Sequence, residues 1–399
     1  MKSFVKTVGA LALLLGVGSL AHAELTIDVS KGIGESGIPI AISPFAGGAP
    51  ENVAGVIASD LKRTGKFAPQ SAGAQADYSV TGQASPGGAR GYVVQFKLAG
   101  AQGSQLLGMS FDVPSNQLRP VAHRISDLIY EKLTGEKGLA GTKIAFVTAG
   151  GGFWLLVVAD ADGQNPNVIL RSGQPIMSPS WSPDGSRLAY VSFEGRRPQI
   201  VVQEVYSGAR RVVSAAPGIN GAPSWAPNGQ RLAFTLSKDG NPEIYALDLG
   251  SQNPVRLTSA NAIDTEPVWL SDGSLVFTSD RGGSPQIYRI GPGGGAAQRL
   301  TFEGDYNASP TASPDGRYIA MVHRRGGQFY IAALDMKTRQ FRVLTSGGLD
   351  ESPSFAPNGR MIIYSNGRQL NAVSVDGGVK QDFVLRGRVR DPVWAPYGR

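Results

Sequence analysis

A seven-residue motif recurs along the last two thirds of the chain, and it restricts the fold more than any other feature. At its first clear copy, residues 179–185, it reads Pro-Ser-Trp-Ser-Pro-Asp-Gly. The leading prolines of the six copies are 44, 44, 43, 43 and 39 residues apart; they are Pro179, Pro223, Pro267, Pro310, Pro353 and Pro392. A period of this length is typical of a β-propeller or another repeat array.

Each copy can be interpreted as one propeller blade. The residues around the tryptophan predict a short strand with the indole facing inward, the second proline presets φ for a turn, and the glycine takes the positive φ that the turn needs. Three further β-rich runs follow before the next copy. Examples are residues 187–192 after the first copy, and residues 243–248 and 255–258 after the second. Four antiparallel strands per repeat make one blade.

The strands at the two ends of the repeat region together can make one complete blade. The last copy stops at Arg399 without its second, third and fourth strands, whereas three strands without a leader begin near Lys143. Pairing of the C-terminal strand with the strands that start near Lys143 would close the ring and leave no open edge. We therefore predict a six-bladed β-propeller over residues 138–399.

The residues before the repeat mix strand and helix patterns. Strands are predicted at 24–29, 39–42, 78–80, 92–98 and 106–113, and helices at about 50–64 and 118–133. Pro120 places the start of the second helix near that residue, and Gly135 ends it. This pattern predicts a small N-terminal α/β domain over residues 24–137, so the chain should have two domains.

The first 23 residues have the layout of a secretory signal peptide. Lys2 and Lys6 precede an apolar stretch at 8–17 that is too short to span a bilayer, and Ala21-His22-Ala23 is a small-x-small cleavage site. Cleavage between Ala23 and Glu24 would release an exported chain with no later apolar stretch of spanning length.

The amino-acid composition excludes several kinds of catalytic and metal site. The 399 residues include no cysteine and three histidines, which excludes thiol catalysis, cysteine-ligated metals and a histidine-rich metal site. The net charge of +7 is spread over short basic pairs, so we expect no nucleic-acid partner. A serine peptidase would need a Gly-x-Ser-x-Gly elbow after a strand, and the chain has none.

Two weaker features bear on metals. The segment Asp160-Ala161-Asp162-Gly163 resembles the opening of a calcium loop but lacks the downstream glutamate, so we interpret it as a turn between strands. His123 lies in the second predicted helix, where a packed or surface histidine is the simpler interpretation. We predict no metal and no cofactor.

The remaining function is binding, and the propeller offers a face for it. The loops before the leader strands and those between second and third strands lie on one face around the channel, where acidic residues near the axis would suit a polar protein surface or an inserted peptide. The predicted contact residues belong to the leader loops; they are Met177, Ser178, Ile219, Asn220, Ala222, Asp264, Thr265, Glu266, Asn307, Asp350, Glu351 and Asp391. Charge changes at Asp264, Glu266 and Asp350 are expected to weaken such binding.

The new N-terminus is the second binding candidate. Its residues are Glu24, Leu25, Thr26, Ile27, Asp28 and Val29, in which apolar and polar side chains alternate from Leu25 onward. A strand at a free terminus can pack on its own domain or add to the sheet edge of a partner. The sequence leaves both possibilities open.

Several segments together resemble the TolB family. They are the N-terminal strand followed by Gly32, the run Pro39-Ile40-Ala41-Ile42-Ser43-Pro44-Phe45, Ser59-Asp60-Leu61, Gly65-Lys66-Phe67, Glu131-Lys132-Leu133-Thr134-Gly135, residues 177–192, and Asn220-Gly221-Ala222-Pro223. The propeller repeat alone is shared by many proteins, but its combination with this N-terminal domain is specific.

The resemblance implies a periplasmic, non-enzymatic adaptor of the Tol–Pal envelope system. It implies binding of the Pal lipoprotein at the channel face and of the TolA C-terminal domain through residues 24–29, in support of outer-membrane integrity and constriction at cell division. It further implies that colicins can bind the same channel, that the chain meets the membrane only through its partners, and that it is a monomer.

Two other functions stay open at this point. An exported hydrolase acting on a peptide or glycan in the channel is supported only by the acidic residues near the axis. A propeller that binds a small ligand or calcium is the other.

Overall fold

The structure is a computed structural model that describes residues 27–31, 37–251, 253–383 and 388–398. The predicted signal peptide and its cleavage site lie outside these ranges, as do Glu24, Leu25 and Thr26 of the N-terminal strand.

The α/β domain has a five-stranded sheet covered by two helices. After a first strand β1 (Ile27–Lys31) that belongs to the propeller, the elements are β2 (Ile38–Ile42), α1 (Val53–Arg63), β3 (Phe67–Ser71), β4 (Tyr78–Gly87), β5 (Gly91–Gly100), β6 (Gln105–Val113) and α2 (Leu118–Thr134), the last preceded by a 3₁₀ turn at Ser115–Gln117. The five strands of the sheet lie in the order β3-β2-β4-β5-β6, with β2 parallel to both neighbours and the other pairs antiparallel.

The helix ends follow local chemistry. The Asn52 side chain accepts a hydrogen bond from the Gly55 N–H at 2.9 Å, which caps the first turn of α1. Helix α2 begins at Leu118, two residues before the expected start, because Pro120 lies in the first turn, where its missing N–H needs no partner. Gly135 ends α2 with a φ of 73°.

The sequence patterns did not predict strand β3. It contains Pro69, which argues against an interior strand. The strand lies at the edge of the sheet, where a residue without a backbone N–H is tolerated.

The described residues form six further sheets, one for each blade, so the predicted fold class is confirmed. The first blade contains β10 to β13 (Ile176–Trp181, Arg187–Ser192, Gln199–Glu204, Arg210–Ser214), and the second contains β14 to β17 (Asn220–Trp225, Arg231–Leu236, Glu243–Asp248, Pro254–Arg256). The third contains β18 to β21 (Asp264–Trp269, Leu275–Ser279, Gln286–Gly291, Gly294–Arg299), and the fourth contains β22 to β25 (Asn307–Ala312, Tyr318–Arg325, Gln328–Asp335, Phe341–Val343). The fifth contains β26 to β29 (Glu351–Phe355, Met361–Ser365, Leu370–Ser374, Val379–Phe383), and the sixth combines β30 (Arg388–Trp394) with β7 to β9 (Lys143–Gly150, Phe153–Asp160, Asn167–Ser172). We number the blades one to six in this order.

Two sheets combine distant parts of the chain. In blade six the C-terminal strand β30 pairs antiparallel with β7, with Trp394 opposite Ile144. In blade five β1 adds a fifth strand on the outer side of β29, with Ile27 opposite Phe383 and Lys31 opposite Val379.

Two of the four motif tryptophans hydrogen-bond to an adjacent blade. The Trp225 indole N–H donates to the Ser180 carbonyl at 3.1 Å, and the Trp181 indole N–H donates to the Val393 carbonyl at 3.3 Å. Each ring therefore contributes both apolar burial and a hydrogen bond between the inner strands of two sheets.

The α/β domain contacts blades five and six on one side of the propeller. The Arg360 guanidinium lies 2.8 Å from the Glu136 carboxylate, and the Gln381 side chain donates to the Arg63 carbonyl at 2.6 Å. Arg360 belongs to the turn between the first two strands of its blade, and such turns lie opposite the face that carries the leader loops. The boundary predicted after Lys137 falls between α2 and β7.

Candidate partner-binding face

The innermost strand of every blade carries a bulge at the channel. The residue before each leading proline has a left-handed φ of 46° to 56°; these residues are Ser178, Ala222, Glu266, Ser309, Ser352 and Asp391. Only four of the six were among the predicted contact residues. The signal that identifies Ser309 and Ser352 is their shared place in the repeat, directly before the proline.

Two carboxylates hold this ring in shape. Asp391 accepts the Ser178 N–H at 3.1 Å and the Ser352 hydroxyl at 3.1 Å. Three blades away, Glu266 accepts the Ser309 N–H and hydroxyl, both at 2.8 Å. The channel inside the ring has a volume of about 600 Å³ and is lined largely by prolines and serines.

Four predicted contact residues are buried and support their loops instead. Asp264 accepts the Arg281 guanidinium at 2.6 Å, and the Asp350 carboxylate accepts the Thr345 hydroxyl. Asn307 donates to Gln286 at 2.9 Å, and Asn220 donates to a backbone carbonyl, that of Ala216, at 2.8 Å. Each of these four side chains makes its contact within a leader loop or at the edge of one, so charge changes at Asp264 or Asp350 would alter the loops themselves.

Burial also changes the acidity of the two aspartates. It raises the pKa of Asp264 above the ordinary aspartate value, although hydrogen bonds from Ser279 and Arg281 oppose that shift. Burial likewise raises the pKa of Asp350, opposed by the Thr345 hydroxyl. Neither carboxylate is placed to meet a partner directly.

Apolar side chains cover the same face. Five large ones are exposed on it by 38% to 69% of their surface; we call them the apolar crown, and they are Met177, Ile219, Ile263, Phe302 and Leu349. Each lies at the start of a leader strand or in the loop before one, in blades one to five. The corresponding loop of blade six, residues 384–387, lies outside the described ranges.

The crown contains two of the predicted contact residues, Met177 and Ile219, and three that sequence reasoning missed. A signal for two of the missed residues exists in the repeat. Ile263 and Leu349, like Ile219, each stand directly before a buried polar residue at or next to the start of the inner strand. Of the other predicted residues, Glu351 is exposed, whereas Thr265 is half-buried.

Comparison with known proteins identifies the family. The model of the TolB β-propeller domain matches residues 130–398, and that of the TolB amino-terminal domain matches residues 25–76. The crystal structure of TolB from Acinetobacter baumannii superposes with a TM-score of 0.87 at 39% identity, and the match covers 94% of this chain and 100% of that one. A chain of a nidogen–laminin complex shares only the fold, with 12% identity and a TM-score of 0.55 over 65% of this chain and 100% of that one.

Curated relatives agree. The Tol-Pal system protein TolB of Nitrosococcus oceani is 49% identical over an alignment of 247 residues, and the match covers 54% of this chain and 57% of the relative. The protein of the same name from Haemophilus influenzae is 40% identical over an alignment of 252 residues, and the match covers 56% of this chain and 58% of that one. The chain thus spans a little over half the length of the curated relatives it matches. None of the described helices is long and apolar enough to cross a membrane. With both of its domains matched, this chain belongs to the TolB family.

Proposed function

We propose that this protein is a non-enzymatic periplasmic adaptor of the Tol–Pal system. The observation that carries the proposal is the apolar crown around one mouth of the propeller channel. The curated relatives carry the name of that system, and for this chain we propose Pal at the crown and the C-terminal domain of TolA at the N-terminal strand. Linking the two would support outer-membrane integrity and constriction at division.

A crown of this kind fits a folded protein better than a small substrate. Its side chains come from five blades and surround the channel mouth instead of converging on one pocket. Exposed apolar groups rimmed by polar ones mark protein–protein contacts, in which a few large anchors supply most of the binding energy.

The acidic residues near the axis give little support to a hydrolase. Asp264 is paired with Arg281, and Glu266 and Asp391 accept hydrogen bonds from the neighbouring bulges. A catalytic carboxylate has to reach a substrate proton or carbon, so groups engaged in holding the ring are poorly suited to that role.

The first test is a titration of purified Pal into the purified protein. We expect saturable one-to-one binding with a dissociation constant in the micromolar range or tighter. Isothermal titration calorimetry would measure this dissociation constant. Absence of saturation at about 0.1 mM Pal would exclude the adaptor role at this face.

The N-terminal strand carries the second test. Of residues 24–29, the structure describes Ile27, Asp28 and Val29, all paired with β29. A strand that adds to the edge of a blade has the backbone geometry to add to the edge of a partner's sheet. We therefore expect deletion of residues 24–29 to abolish TolA binding.

Pal binding by the same truncated protein is the control for this deletion. The crown is formed by the propeller, so the truncated protein should bind Pal with unchanged affinity. TolA affinity that survives in a truncated protein with a native circular-dichroism spectrum would refute the assignment of this strand.

A further inference from the structure

A buried polar cluster joins the two domains where blade six meets the α/β domain. His123 of α2 and Asp60 of α1 come from one side, and Asp160 and Asp162, at and just after the end of β8, come from the other. These four residues are 2% to 7% exposed. Two features that looked unremarkable in the sequence, a lone histidine and a turn resembling a calcium loop, thus face each other.

Asp60 orients the histidine ring. Its Oδ2 lies 2.7 Å from His123 Nδ1 and accepts the Ser126 hydroxyl at 2.8 Å, and its Oδ1 accepts the Arg63 guanidinium at 2.7 Å. Since a carboxylate only accepts hydrogen bonds, Nδ1 carries the proton of the neutral ring. The lone pair of the ring is then on Nε2, which points to the propeller.

His123 Nε2 is buried and has no hydrogen-bond partner among the described residues. Its nearest acidic oxygens are Asp162 Oδ2 at 3.8 Å and Asp160 Oδ2 at 3.9 Å. These separations are too long for hydrogen bonds. Bonds of about 2.1 Å from one tetrahedral zinc ion place neighbouring ligand atoms about 3.4 Å apart, so each of the two carboxylate oxygens would have to approach Nε2 by roughly half an ångström to share an ion with it.

The charges around the cluster are compatible with an ion. Asp162 Oδ2 accepts the Arg119 guanidinium, Asp160 Oδ1 accepts the Lys143 ammonium group, and Asp160 Oδ2 accepts the Asn165 side-chain amide at 2.7 Å. A carboxylate oxygen has two lone pairs, so it can bind a metal while it accepts such a hydrogen bond. The side chains of Arg119 and Lys143 are 22% and 51% exposed, which lets solvent screen their positive charge.

We propose that His123, Asp160 and Asp162 form a binding site for one divalent first-row transition metal, with Asp60 as the residue that positions the imidazole. An imidazole nitrogen suits Zn²⁺ and similar ions, whereas Ca²⁺ and Mg²⁺ prefer oxygen ligands throughout. A carboxylate on the far nitrogen of the ring is the usual partner of a metal-bound histidine. The bound ion would connect α2 directly to blade six and so restrain the relative position of the two domains.

The test uses the purified full protein after treatment with a chelator. Equilibrium dialysis against zinc chloride, followed by elemental analysis, should give one Zn²⁺ per chain. His123→Asn keeps a donor toward Asp60 but removes Nε2, and we expect it to weaken binding by at least about tenfold. His323→Asn changes a second buried histidine, which lies in β23 of blade four beside Asn307, and should bind zinc as the unmodified protein does.

A second variant keeps the test valid if His123→Asn does not fold. Asp162→Asn keeps the shape of the side chain and removes its charge, and it should also weaken zinc binding by at least about tenfold. Circular dichroism would show which variant retains the fold, and the comparison would rest on that variant. No saturable binding by the unmodified protein, or equal binding by a folded His123→Asn or Asp162→Asn variant, would overturn the proposal.

Discussion

Replacing Phe302 and Leu349 together with aspartate is expected to weaken Pal binding by about 100-fold or more, because two buried apolar anchors commonly contribute about 2 kcal/mol each and a buried unpaired carboxylate adds a desolvation cost. The two side chains are 65% and 69% exposed, so the free energy of unfolding should change by no more than about 0.5 kcal/mol. Calorimetric titration with Pal and urea unfolding would measure the two effects separately.

A matched control lies on the outer strand of blade two. Val255 is 58% exposed but is not in a leader loop, so Val255→Asp should leave Pal affinity unchanged. Wild-type affinity in the doubly substituted protein would mean that the crown is not the contact surface.

Trp394→Ala is expected to lower the free energy of unfolding by about 3–5 kcal/mol, the range for removing a buried tryptophan side chain. The ring belongs to the strand that pairs with β7, and its indole N–H donates to the Thr142 hydroxyl at 2.8 Å. The substitution leaves a cavity next to Ile144 in the core shared by blades five and six, and it removes the hydrogen bond that joins β30 to Thr142, the residue directly before β7.

Urea unfolding, monitored by far-ultraviolet circular dichroism, would measure this loss of stability. Tyr206→Ala is the control, because that ring is 91% exposed and its removal should cost little. A change below about 1 kcal/mol for Trp394→Ala would show that the ring closure tolerates loss of this side chain.

The propeller could be predicted because its signal is local and repeated. Pro, Asp or Asn, and Gly at the turn, with an inward aromatic ring just before it, each favour the same hairpin. All six copies keep the glycine and at least two of the other three features. Strand β3 could not be predicted, since Pro69 opposes a strand locally and only the edge position in the sheet tolerates it.

The binding face was predictable as a set of loops but not as a set of contact atoms. The repeat phase places Asp264 and Asp350 at the channel mouth, yet their side chains turn inward to hold Arg281 and Thr345. Side-chain direction in a loop depends on which donors the folded backbone brings within reach, and a single sequence without its fold does not reveal them.

By itself, the sequence determined the repeat, the blade count and the separate N-terminal α/β domain, because turn chemistry and hydrophobic periodicity act over a few residues. Only the tertiary structure decided which loop residues are buried, which form the apolar crown, and that His123 faces Asp160 and Asp162 across the domain junction. These outcomes depend on contacts between residues tens to hundreds of positions apart, which form only when the ring has closed and the two domains have met.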